Sequence, residues 1–142
     1  MLEQLKVNII NQSSEALLDQ KGLKKTKLRL ELVRHFKSSK HAQSYSDLKQ
    51  ALGGNVDKST LYRNLSVFEE VGLIHGINDH TGVTKYALGA LPSTGHEHAH
   101  FVCDYCETVY CVKGTTHHQL DVPKGFKAKN VQTIIRGTCA NC

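Results

Sequence analysis

Along the first 72 residues apolar side chains recur at helical spacing, and beyond them the pattern shortens to strand-like pieces. In "KTKLRLELVRHFKSS", Leu28, Leu32, Val33 and Phe36 line one face and leave the basic residues on the others. "SYSDLKQALGG" opens on Ser44 and Asp47, spaced as a capping box, and closes on Gly53 and Gly54. "DKSTLYRNLSVFEEVG" sets Leu61, Leu65 and Phe68 on one face, takes Asp57 or Ser59 as its N-cap and stops at Gly72. Ahead of these, "EQLKVNIINQSSEALLDQKG" reads as one moderate helix ending near Gly22. After Gly72, "LIHGI" and "VTKYAL" flank the turn "NDHTG" and predict a hairpin. Two short helices and then a hairpin is the order of a winged helix-turn-helix, in which the last helix enters the major groove and the wing follows the backbone.

"GALPSTG", residues 89–95, is rich in Gly, Pro and Ser and makes the best linker. Past it, "AHFVCDYC", "ETVYCV" and "KNVQTIIRG" read as strands, with "TTHHQL" a short helix or turn between them. The expected architecture is α+β: a winged-helix domain over 1–88, a hinge over 89–95 and a small α/β domain over 96–142. A chain of 142 residues suits two such small domains.

Charge sharpens the division. The net +5 is concentrated in residues 21–40, where eight Lys and Arg face one acid, Glu31, whereas 89–142 holds five basic and four acidic residues. A basic run is often only a solvated helix face, but clustering in one half also suits phosphate neutralisation. No apolar run approaches the roughly 20 residues that span a bilayer, and the N-terminus lacks the features of a signal peptide. A cytoplasmic chain is expected, and there five cysteines point to metal or thiol chemistry rather than to disulfides.

Four of those cysteines form two CxxC pairs, Cys103 with Cys106 and Cys139 with Cys142, separated by 32 residues. Each pair brackets a turn, so two thiolates can converge on one ion, and zinc takes four sulfurs as a closed structural site. Neither pair opens a helix after a strand, which argues against a redox motif. Immediately upstream, "HEHAHFVC" alternates His96, His98 and His100, which would project to one side of a strand. Cys111, on the next predicted strand, could reach that side across an antiparallel pair. His98, His100 and Cys111 then make an N/N/S set suited to zinc and completed from elsewhere. A water-facing strand end is the plain alternative for any one of these histidines.

The chief rival class is a zinc-dependent enzyme or a non-DNA adaptor. Hydrolytic zinc sites keep an open position beside a carboxylate base, but Glu97 faces away from the histidines on a strand and no HExxH spacing occurs. Neither rival would need the 59–74 helix with its basic neighbour. The reading is a regulator, not an enzyme, with no small-molecule substrate and no membrane partner.

The segments "GLKKTKLRLELV", "STLYRNLSVFEEVGLI", "HEHAHFVCDYCETVYCV" and "GTCANC", in this order, resemble the ferric uptake regulator (Fur) family, which includes the ferric, zinc and peroxide regulators. The resemblance runs over nearly the whole chain from Gly22. It implies a homodimeric repressor whose regulatory metal closes two winged-helix domains onto a palindromic operator in double-stranded DNA, joined by C-terminal dimerisation domains. It also implies that Thr60, Tyr62 and Arg63 belong to the recognition helix, with the tyrosine at bases and the arginine at phosphate, and that Lys25 and Arg29 contact the backbone. A tyrosine ring packs well on a thymine methyl and a guanidinium forks a phosphate, so physical chemistry agrees.

Departures from the family pattern carry the metal preference. The histidine that the DNA-binding domain lends to the regulatory site is best matched by His41, which would join His98, His100 and Cys111. A carboxylate expected in the strand before the linker falls at Ala87, and the acid that ends the strand after the first CxxC falls at Cys111. In a secondary site, Ala99 and Val131 replace ligands and leave Glu97 and His118. A glycine that usually follows the second knuckle cysteine is Glu107. Trading carboxylates for a thiolate moves the regulatory site toward Zn2+ and away from iron or manganese, although Fe2+ and nickel stay open, as does a redox role for Cys111.

Overall fold

The structure, a computed structural model, describes residues 11–89, 99–112, 121–128 and 132–142. The chain divides into two compact units, Met1–Ala90 and Leu91–Cys142. Among the described residues, no helix is long and apolar enough to cross a membrane.

In the first unit every described helix is started by a side chain that the sequence supplies. Ser13 caps α1 (Ser14–Gln20) by accepting from the Ala16 amide. The single helix expected over 3–22 lies partly outside the described residues, and within them it is not continuous: Ser13 sits in extended backbone at φ −66°, ψ 155°, because its hydroxyl serves α1 better as a cap than as an interior residue. Thr26 caps α2 (Lys27–Ser38). Ser44 and Asp47 form the expected capping box at α3 (Tyr45–Ala51), and Asp57 caps α4 (Lys58–Glu70). Gly72 ends α4 at φ 73°, so that the amides of Gly72 and Leu73 return to the carbonyls of Glu69 and Phe68.

The buried faces of these helices meet in one core. Leu17, Leu18, Leu32, Val33, Phe36, Leu48, Leu61, Leu65 and Phe68 pack with Leu73, Ile74 and Tyr86 from the wing. The wing is the hairpin of β2 (Ile74–Asn78) and β3 (Thr84–Leu88), turned by Asp79, whose carboxylate accepts from the Thr81 amide at 2.8 Å. β1 (Gln43–Ser44), a two-residue strand outside the expected pattern, pairs with β3 and gives the order β1-β3-β2. This is a winged helix-turn-helix.

The second unit is a three-stranded sheet in the order β5-β4-β6. β4 (His100–Cys103) pairs antiparallel with β5 (Val109–Cys111) and parallel with β6 (Ile134–Gly137). The expected hinge beyond Gly89 and the "TTHHQL" segment lie outside the described residues.

Candidate metal centre and nucleic-acid surface

The parallel pairing of β4 with β6 sets Cys103 opposite Gly137, so both strands end at one edge of the sheet and both CxxC turns follow there. The Sγ atoms of Cys103, Cys106, Cys139 and Cys142 all lie within 4.8 Å of one another, and Cys106 and Cys139 are 3.8 Å apart. A tetrahedron with zinc–sulfur bonds of about 2.3 Å has edges of about 3.8 Å, so the spacing fits this ion. The Cys139 amide points at Cys103 Sγ at 3.4 Å. Amides of Cys106 and Cys139 draw the Cys103 thiol down to about 6, whereas proton sharing with Cys139 and Cys106 pushes Cys142 up to about 12. Four sulfurs this close repel as thiolates unless a cation lies between them, so metal loading must release protons. Arg136 on β6 donates from Nε and Nη2 to Oδ1 of Asp104, at 3.0 and 2.9 Å, and ties the first turn to the third strand. Glu107 closes that turn at φ 58°, alone among the described non-glycine residues in this left-handed region. That geometry accounts for the glycine expected there.

His100 lies directly opposite Cys111 in the antiparallel register. Val112 donates to the carbonyl of Ala99 at 2.9 Å, which makes His100 and Cys111 a non-hydrogen-bonded pair, the kind whose side chains approach most closely. His100 is buried, Cys111 is half-buried, and their ligand atoms lie within 4.8 Å. An imidazole and a thiol are thus brought together by register alone. His98, Glu97 and His118 lie outside the described residues.

In the first unit His41 is exposed, with Nδ1 3.1 Å from its neighbour's carbonyl, that of Ala42, and 3.1 Å from Nε2 of Gln43. The sequence reading overlooked His75. It is buried on β2, and its Nδ1 is 2.7 Å from the Gly89 carbonyl, which can only accept. Nδ1 therefore donates to that carbonyl. Its register partner is Ala87, the position where a carboxylate was expected. The signal was available: the five-residue turn fixes the hairpin register and sets a histidine beside the missing acid.

The nucleic-acid candidates gather on α4, on α2 and just ahead of α2. Tyr62 is 41% exposed and Arg63 is also exposed. Tyr62 stacks on Tyr45, with ring centroids 4.7 Å apart and planes 6° from parallel. Arg29 donates through Nε to Asn64 at 2.9 Å, and Asn64 donates to the Thr60 carbonyl at 2.9 Å, a chain that locks the basic helix onto α4. Thr60 is mostly occupied by the cap, since its amide and hydroxyl both donate to Asp57. A hydrogen bond from the Ser59 hydroxyl, together with those two from Thr60, holds the Asp57 carboxyl at about 2. Lys25 pairs with Asp19 at 3.1 Å.

A model of the ferric uptake regulator family matches residues 20–135. The ferric uptake regulation protein of Campylobacter jejuni is 27% identical across 100% of this chain and 94% of its own length. The Helicobacter pylori ferric uptake regulator, described with three functional metal binding sites, superposes with a TM-score of 0.62 at 18% identity, covering 92% of this chain and 94% of that one. A zinc-bound manganese uptake regulator superposes with a TM-score of 0.64 at 19% identity, covering 90% and 99%. Those two likenesses establish the fold, and the matched span takes in the winged helix and the first CxxC turn. With the fold, the four-thiol cluster and the matched span in agreement, the chain belongs to the ferric uptake regulator family of metal-responsive regulators.

Proposed function

We propose that this chain is a zinc-responsive transcriptional repressor that acts in the cytoplasm as a homodimer on a palindromic operator and controls metal-homeostasis genes. The observation that carries the metal choice is the cross-strand pair of His100 and Cys111, a nitrogen and a sulfur where an oxygen ligand was expected. Soft thiolate with imidazole favours Zn2+ over Fe2+. Cys103, Cys106, Cys139 and Cys142 hold a structural zinc ion. The regulatory ion takes His98, His100 and Cys111, with a further imidazole from the first unit. His41 is the candidate for that imidazole. Glu97 and His118 are what remains of a secondary site. Tyr62 reads bases, Arg63, Arg29 and Lys25 meet phosphate, and Thr60 builds the cap that presents them. Exposed apolar side chains in the second unit, Tyr105, Val122, Phe126 and Ile135, support self-association.

Metal analysis before and after mild chelation, followed by operator binding, tests this reading. The expected result is one ion that resists the chelator and one that does not, with DNA affinity following the second. His100→Ala should keep the tight zinc and the dimer but lose the metal response, and His41→Ala should weaken that response. Cys111→Asp should shift preference toward iron or manganese. Normal metal-dependent binding by His100→Ala would overturn the regulatory assignment.

A further inference from the structure

We infer that Tyr45 is a specificity-positioning residue: it fixes the ring of Tyr62 so that one face and edge remain to read a thymine methyl. The inference rests on the reading that Tyr62 contacts bases. It goes beyond that reading by assigning a role to a residue on a different helix.

Tyr45 is the first residue of α3, directly after the capping box, so its backbone is held by Ser44 and Asp47. Its ring is half-buried and packs against the core of the first unit. Tyr62, on α4, is the partner that projects. Rings within 6° of parallel and 4.7 Å between centroids must be laterally offset, the favourable stacking geometry for two aromatic quadrupoles. A lone exposed tyrosine on a helix samples several rotamers and loses that freedom on binding. Immobilising a side chain in advance is worth roughly two- to tenfold in affinity. The stack also covers one face of Tyr62, so a base can meet only the opposite face or the edge. A flat, fixed apolar surface suits the 5-methyl group, which distinguishes thymine in the major groove. Among the described residues the buried Tyr45 hydroxyl finds no hydrogen-bond partner, so its removal alone should leave the stack intact.

The test uses the full, metal-loaded chain and a duplex selected by it from a randomised pool. The same duplex is then made with deoxyuridine for every thymidine, which removes only the methyl groups. The unmodified protein should prefer the thymine duplex by about fourfold per methyl read, the value of one buried carbon. Tyr45→Phe should keep that ratio and melt at the same or a higher temperature. Tyr45→Leu should bring the ratio toward one while leaving the salt dependence unchanged, because phosphate contacts are untouched. If Tyr45→Leu lowers the melting temperature, Tyr45→Met, which fills the gap flexibly, replaces it. A ratio unchanged in the Leu or Met variant, with Tyr62→Ala losing it, overturns this inference alone. A ratio unchanged in Tyr62→Ala overturns the recognition reading and this inference with it.

Discussion

The two units solve the problem of holding a small fold together by different means. The first buries twelve mutually packed side chains, Leu17 through Tyr86, and caps each of its four described helices with a side chain close in sequence. The second, among its described residues, buries only Ala99, Val102, Cys103 and Val109 as apolar groups, together with His100. A domain near 50 residues buries too little surface to offset its chain entropy, and an ion held by the four thiols would make up the difference, as structural zinc does with about 10–16 kcal/mol of apparent binding energy. The contrast teaches where each half is fragile: the first to cavities, the second to loss of a single ligand.

The severest way to break the comparison is Cys139→Ser. Zinc content should fall by one ion per chain and the second unit should unfold, while the far-ultraviolet signal of the first unit's described helices persists. A folded, zinc-free second unit in this variant, seen as retained amide protection on β4, would show that its core suffices alone. In the first unit, Phe68→Ala should cost about 3–5 kcal/mol in denaturant melts, the usual effect of deleting a buried aromatic, and leave bound zinc unchanged. Glu107→Gly should stabilise the knuckle by about 1 kcal/mol, since a side chain held at positive φ is strained and glycine is not. Slower zinc release to a chelator would register it.

The smallest effect belongs to pH. The carboxyl of Asp57 is held at about 2, below its ordinary 3.8, so its contribution to α4 is complete above about pH 4 and lost as pH falls toward 2. Amide exchange at Thr60 should accelerate in that window, and Asp57→Asn should remove the dependence.

What could be read from the sequence was local. Ser44 with Asp47, Asp57, Gly72 and the apolar rows at helical spacing all act within a few residues of themselves, and the structure bears them out. The four-cysteine cluster was legible because zinc ligation imposes a spacing. Ser13 was misjudged because the apolar rhythm continues through it while its hydroxyl favours a cap. The short β1, the parallel partner of β4, the Arg29–Asn64 bond and the stack of Tyr45 on Tyr62 join residues far apart along the chain, and no single-sequence period encodes them.

The parallel seam between β4 and β6 has a consequence in time. The wing hairpin closes across five residues, whereas β6 must return over the 30 residues that separate Cys103 from Ile134. Closing the longer loop costs entropy before any strand contact rewards it, so such pairing is slow. Refolding from denaturant should show a fast phase from the helices and a later one that quickens with added zinc. A newly made chain thus assembles its winged helix first, and its knuckle waits for both the returning strand and an ion from the surroundings.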